Sequence, residues 1–339
     1  MDKMNKPIVV FGARGQVGRE FIALATARGV PVAGLSRQDA DISNEVTVRA
    51  TLDVHRPAVV VNAAGYTAVD RAEREPEVAA LANVTGPAVL AAVCASMNVP
   101  LIQLSCEQVF DGSKKRPYVE SDKVSPASVF GRTKAEGEAK VRELAPRHVI
   151  LRTSWIYGPH GRNFLRNVMR LATERDELRA VGDQTGCPTA TIDLAEALLV
   201  VARKLAGEAK VVGTFHFAGN GATNWFRFAS EIVQRQAVFT GKTPRVTEIK
   251  LSEYPAAVKG GPNCELDSTR FRNTFGYTAS PWNFRVAEVV ASVIRNANRK
   301  AAQAAAAAAA AASAAANVPT QTPTRSLADQ PTAGRPTLI

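Results

Sequence analysis

The apolar run Ile8-Val9-Val10-Phe11 passes straight into Gly12-Ala13-Arg14-Gly15-Gln16-Val17-Gly18, and a helical pattern follows to residue 28. A strand, a glycine-rich turn and a helix in immediate succession aim backbone N–H groups and the positive end of a helix at one point, which suits a pyrophosphate. The glycines divide the work: Gly12 permits the tight turn, Gly15 lets phosphate approach the backbone, and Gly18 lets helix pack closely on strand. Taken alone, the pattern also fits a tight turn that binds nothing.

The surrounding chain favours the first reading. Up to about residue 150, short β-branched runs at 8–11, 30–35, 58–62, 101–105 and 149–152 alternate with helical patterns at 16–28, 45–55, 77–98 and 133–144. That alternation predicts an α/β fold, a doubly wound parallel sheet of the Rossmann kind with helices on both faces. Farther on, 156–186 mixes loop and helix, 191–205 reads as one helix and 214–218 as one more strand. The expected organisation is a dinucleotide-binding domain from 1–155 plus about 189–217, with a smaller α/β substrate-binding lobe from about 156–188 plus 218–295 over the sheet's carboxyl edge. From 296 the composition changes to an alanine run at 304–312 and a Pro/Thr-rich end, read as a disordered tail with at most a transient helix. Alanine contributes too little transfer energy for that run to span a membrane.

The 339 residues, 46% of them hydrophobic, suffice for a large core. The formal charge of +11 favours anionic partners. It is dispersed: Arg299, Lys300, Arg325 and Arg335 against Asp329 leave most of the excess before residue 296. No basic stripe is interleaved with aromatics, so phosphorylated metabolites are expected rather than nucleic acid or a membrane. Cys94, Cys106, Cys187 and Cys264 form no Cys-x-x-Cys pair and have no His at ligand spacing, so no metal site is expected. Met1 to Lys6 leave no room for a signal peptide, and a reducing, cytoplasmic setting follows.

After the second strand, where an acidic residue would hold the adenosine ribose of NAD, Ser36-Arg37 stand instead. A guanidinium there favours a 2′-phosphate and hence NADPH over NADH, while a solvated loop charge is the alternative. The run Val59-Val60-Val61-Asn62 ends in Ala63-Ala64-Gly65, small enough for a nucleotide to lie against the backbone or simply for close packing.

From these residues onward the chain resembles the dTDP-4-dehydrorhamnose reductase family over roughly residues 7–295. The motifs that carry the likeness are Gly15-Gln16-Val17-Gly18, Asn62-Ala63-Ala64-Gly65-Tyr66-Thr67-Ala68-Val69-Asp70, Val109-Phe110-Asp111-Gly112 and Gly131-Arg132-Thr133-Lys134. Leu151-Arg152-Thr153-Ser154-Trp155-Ile156-Tyr157-Gly158, Asn163-Phe164, Asp183-Gln184-Thr185-Gly186-Cys187-Pro188-Thr189 and His216-Phe217-Ala218-Gly219 complete them. The resemblance implies hydride transfer from a reduced nicotinamide, NADPH or NADH, to the C4 ketone of a dTDP-6-deoxy-4-keto sugar, a nucleotide-sugar substrate. A tyrosine donates the proton, a lysine four residues later holds the nicotinamide ribose, and a serine or threonine bonds the carbonyl. Such an enzyme serves dTDP-rhamnose and polysaccharide biosynthesis, and a homodimer is compatible with it.

On that resemblance the cofactor set is Gly12, Gly15, Gln16, Val17, Gly18, Arg37, Asp41, Ile42, Ala63, Ala64, Gly65 and Lys134, and the substrate set is Cys106, Glu107, Trp155, Asn163 and Gln184. Thr189 and Phe164 match positions flanking the nucleotide. The catalytic set departs from the family. Phe130 stands in the tyrosine position, Cys106 in the Ser/Thr position, and Glu107-Gln108 replace Asp-Tyr; Lys134 alone is kept. Glu107 would donate a proton if burial raised its pKa, or is an ordinary solvated carboxylate. The stretch Ala257-Val258-Lys259-Gly260-Gly261-Pro262 carries Lys259 where the family has an arginine toward the diphosphate. Two readings follow: a reductase working slowly or through another acid, and a non-catalytic or regulatory subunit that binds the cofactor and sugar nucleotide.

Overall fold

The computed structural model describes residues 6–207, 211–255 and 260–316. Its centre is a six-stranded sheet in which every neighbouring pair runs parallel. The strands are β1 (Ile8–Phe11), β2 (Val32–Leu35), β3 (Val59–Asn62), β4 (Leu101–Cys106), β5 (His148–Thr153) and β6 (Gly213–His216). Their spatial order is β2-β1-β3-β4-β5-β6. The order reverses between β1 and β3, and a doubly wound sheet opens its ligand crevice at the carboxyl ends there.

Because successive side chains of a strand point to opposite faces, β1 feeds two cores. Ile8 and Val10 join Phe21, Leu194 and Leu198 on one face, and Val9 and Phe11 join Val48, Leu52, Leu90 and Val93 on the other. The covering helices begin where the local chemistry allows. Asn44 accepts the Thr47 N–H at 3.2 Å to start Glu45–His55. Ser128 accepts the Gly131 N–H at 2.9 Å, so the helix Val129–Leu144 starts before the expected residue 133.

The stretch Pro76–Ser96 is long and apolar enough to cross a bilayer, but here it packs along Val129–Leu144 and buries Leu90, Ala91, Val93 and Cys94 in the core. Inside it, Leu81–Thr85 forms a π turn between the α-helical pieces Pro76–Ala80 and Gly86–Ser96.

Past β5, short strands are interspersed with the helices Phe164–Glu174, Thr191–Ala206, Trp225–Thr240, Thr269–Phe275 and Trp282–Ala316. Glu177–Val181 pairs with Arg245–Ile249, and Thr185–Gly186 is flanked by Thr223–Asn224 and Asn263–Cys264. The helix at 225–240 was not expected from sequence. The chain divides into two compact units, Met1–Val293 and Ile294–Ile339. The alanine run expected as a disordered tail lies within the helix Trp282–Ala316, in keeping with alanine's high helix propensity. The Pro/Thr-rich end and the positions Ala257, Val258 and Lys259 lie outside the described residues.

Candidate functional site

The turn after β1 is built as the glycines require. Gly12 has φ +86°, and a Cβ on it would lie 2.6 Å from the Ala63 carbonyl carbon. A Cβ on Gly18 would lie 2.3 Å from the Gly12 oxygen, so Gly18 and the buried Val17 seat the helix on the turn rather than face a ligand. The Gly12 and Ala13 N–H groups both donate to Leu35 O at 3.0 Å, tying the turn to β2. Among the described residues no side chain caps the start of Gln16–Ala27, which leaves its first-turn N–H groups for an anion.

A cavity of about 300 Å³ opens against this turn. Gly12 and Gly15 line it from the turn, Arg37, Asp41 and Ile42 from beyond β2, and Ala63, Ala64 and Gly65 from beyond β3. Arg37 Nε donates to Asp41 Oδ2 at 3.1 Å, and Asp41 Oδ1 accepts the Ser43 N–H and hydroxyl at 3.0 and 2.7 Å. Those Ser43 bonds, seconded by Arg37, hold the Asp41 carboxyl below the usual carboxylate range.

Two residues behind this wall escaped the sequence reading. Asn83, in the π turn, accepts the Tyr66 N–H at 2.9 Å and donates to Tyr66 O at 3.0 Å and Thr133 Oγ1 at 3.2 Å. It thereby clamps the segment after Gly65. A Cβ on Gly137 would lie 2.0 Å from Asn83 O, so only glycine lets the helix Val129–Leu144 come this close. An asparagine within a helical run gives no sign of this; the π turn that aims it depends on tertiary packing.

A second cavity, of about 610 Å³, lies over the carboxyl ends of β4 and β5 and is lined by Gln16, Cys106, Glu107, Phe130, Trp155 and Gln184 among others. The Phe130 ring is 7% exposed and packs with Ala72, Ala79, Tyr66 and Val69. Burial pushes the Cys106 thiol up to about 12, so it stays protonated and is a weak donor. Burial likewise pushes Glu107 up to about 7. Lys134 lines neither cavity: its Nζ donates to Leu104 O at 2.7 Å, and burial lowers its pKa.

The Trp155 indole is stacked on Trp225 at 3.5 Å and 16°, and it lies where a Gly186 Cβ would sit at 2.5 Å from the ring. Trp155 holds φ +44°, a costly conformation for a bulky residue, and the stack and the glycine beneath fix its ring as a wall of the cavity. Gln184 accepts from Trp225 Nε1 and donates to Gly261 O, both at 2.8 Å. Asn163 does not line the cavity. Its Oδ1 caps Phe164–Glu174 through the Arg166 N–H at 3.1 Å, and its Nδ2 reaches Gly158 O at 2.9 Å and Gln16 Oε1 at 3.2 Å. Thr189 is also spent internally, donating to Cys187 O at 3.1 Å and accepting the Gly219 N–H at 3.0 Å.

Thr153, paired in register with Cys106, also lines the second cavity, and among the described residues its buried hydroxyl has no hydrogen-bond partner. Only strand pairing brings it beside Cys106, so spacing along the chain could not select it. Beneath this corner the fully buried Arg152 donates to Glu138 at 2.8 and 2.6 Å and contacts His216 Nε2 at 3.3 Å. Among the described residues no group of three or more His, Cys, Asp or Glu is placed to hold a metal ion.

Comparison with known proteins agrees with this geometry. A family model described as the RmlD substrate binding domain matches residues 4–295. A dTDP-4-dehydrorhamnose reductase of Sinorhizobium fredii is 38% identical over 277 residues, covering 81% of this chain and 93% of that protein. A crystal structure of such a reductase from Clostridium acetobutylicum matches with TM-score 0.78 and 36% identity, covering 84% of this chain and 98% of that one. One from Bacillus anthracis, in complex with NADP, matches with TM-score 0.78 and 27% identity over the same shares. With the sheet order, the glycine turn and the two cavities already in place, the chain belongs to the dTDP-4-dehydrorhamnose reductase family.

Proposed function

We propose that this protein uses NADPH or NADH to reduce the C4 ketone of a dTDP-6-deoxy-4-keto sugar, more slowly than a relative with the catalytic tyrosine. One observation carries the reading. Gly15 lines the smaller cavity and the next residue, Gln16, lines the larger, so a dinucleotide on the turn extends toward whatever fills the second cavity. The dinucleotide belongs to residues 1–155 plus about 189–217, and the sugar nucleotide to 156–188 plus 218–295. The exposed Arg37 guanidinium, bonded among the described residues through Nε alone, keeps two amino groups for a 2′-phosphate and favours NADPH. Trp155 offers its face to the deoxysugar. The setting is cytoplasmic, in the supply of dTDP-rhamnose for polysaccharide.

The reduced rate rests on Phe130, which cannot donate a proton. General acid catalysis contributes about 10²–10⁴-fold, roughly 3–5 kcal/mol of barrier, so its loss slows hydride transfer without abolishing it. A second reading, binding without turnover, is favoured by the enclosed Phe130 ring and by the Lys134 amine held on Leu104 O.

Calorimetry with NADPH, NADH and dTDP, followed by single-turnover cofactor absorbance with enzymatically made dTDP-4-keto-6-deoxy sugar, separates the two. Expected are binding of cofactor and nucleotide, then slow oxidation of the cofactor. Binding without oxidation supports the second reading, and failure to bind either ligand defeats both.

A further inference from the structure

The corner that lacks a phenol on the helix Val129–Leu144 contains a carboxyl group. Glu107 follows β4 directly and lines the larger cavity with Cys106, Phe130 and Thr153. It is 9% exposed. Among the described residues no other side chain bonds its carboxyl, and only its own backbone amide holds it. A buried carboxyl without a counter-charge, in the wall of a cavity, is poised to exchange a proton with what the cavity holds.

We infer that Glu107 is the proton donor of this site and delivers its proton to the oxygen at C4 of the bound keto sugar. The inference rests on the reductase reading above. In the step, hydride passes with its electron pair from C4 of the dihydronicotinamide to C4 of the sugar, and the carbonyl π electrons move onto oxygen. The Glu107 O–H bond breaks, its proton joins that oxygen, and Glu107 is left as carboxylate with the cofactor oxidised. Solvent reprotonates the carboxylate after product leaves. Thr153, whose hydroxyl is without a partner among the described residues and in register with Cys106, is the group able to bond the carbonyl in place of the missing Ser/Thr.

The charged and titratable neighbours are consistent with this role. Burial keeps the thiols of Cys106, Cys187 and Cys264 protonated near neutrality, so they add no charge. Lys134, across Cys106, is bound to Leu104 O. Asp111, in the same wall, accepts the Ser113 N–H and hydroxyl and the Tyr118 hydroxyl, which hold it low and make it no donor. Arg179 in that wall pairs with Glu253. Burial sets the Glu107 carboxyl at about 7, where it both donates and recovers a proton.

The test is single-turnover oxidation of bound NADPH by the dTDP-4-keto sugar, at pH values on both sides of 7, for the wild type, Glu107→Gln, Tyr254→Phe and Glu107→Gln/Phe130→Tyr. The wild-type rate is expected to fall as pH rises through about 7. Glu107→Gln is expected to slow the step by about 100-fold or more, to remove that fall, and to leave dTDP and NADPH affinity unchanged. Phe130→Tyr is expected to restore the rate in that background.

A Glu107→Gln protein with wild-type rate and pH profile overturns the donor assignment and leaves the reductase reading standing. Loss of the pH dependence in the Tyr254→Phe protein, whose phenol is in this cavity wall, does the same. A wild type that binds both ligands and oxidises no cofactor overturns both. Should Glu107→Gln not fold, the infrared carboxyl band of the wild-type complex decides: a Glu107 ionised at every pH overturns the proposal.

Discussion

The two ends of the ligand crevice lie on the same sheet edge and have been treated differently by the sequence. At the β1–β3 end, function depends on backbone shape, and Gly12, Gly18 and Gly137 sit where any Cβ would collide with main-chain atoms. At the β4–β5 end, function depends on single polar atoms, and two that the family resemblance calls for are absent, the phenol at Phe130 and the hydroxyl at Cys106. Backbone shape is held by the whole fold, whereas a phenol oxygen can be deleted while its ring packs as before. A dinucleotide scaffold can therefore outlast the chemistry it was built around.

The sharpest way to strain that contrast is to return the missing atoms. In a Glu107→Gln background, Phe130→Tyr with Cys106→Thr is expected to raise the single-turnover rate by about 10²–10⁴-fold while the NADPH dissociation constant stays put. A rate gain accompanied by weaker cofactor binding would mean the two ends are not independent. The reverse experiment disturbs shape alone. Gly12→Ala forces a side chain onto φ +86° and into Ala63, and is expected to cost on the order of 3 kcal/mol in urea unfolding and to weaken NADPH at least tenfold.

The smallest effect probes what lies under the altered corner, where Arg152, Glu138 and His216 keep their polar network. Burial, seconded by the Arg152 charge, pushes His216 down to about 4 from 6.5. The unfolded chain thus binds the extra proton first, and stability is lost as pH falls from about 6.5 toward 4. The loss is expected to reach about 2 to 3 kcal/mol, and His216→Gln should flatten that part of the profile. A profile unchanged by the substitution would place the acid sensitivity elsewhere.

Much of this was legible in the sequence because it repeats along the chain. The strands at 8–11, 58–62 and 101–105 and the helix at 191–205 correspond to β1, β3, β4 and Thr191–Ala206 within a residue or two, since apolar periodicity and burial are the same fact seen twice. Gly12, Gly15 and Ala63-Ala64-Gly65 line one cavity, and their spacing could be read because it reflects steric needs local to one turn. Thr153 and Asn83 were missed because each acts through an element distant in sequence, and Asn163 and Thr189 matched a motif while spending their polar atoms inside the protein. Motif matching preserves identity and says nothing about which way an amide is already committed.

The π turn at Leu81–Thr85 has a consequence for how this chain can be edited. It holds one residue more per turn than the helix on either side, so the faces before and after it are offset in phase by about 100°. Deleting any one residue from this turn would leave a helix of regular phase. It would also rotate Leu90 and Val93 away from the sheet or Asn83 away from Tyr66. Length, and not only identity, is under constraint at this point, and a one-codon deletion here should prove more damaging than most substitutions.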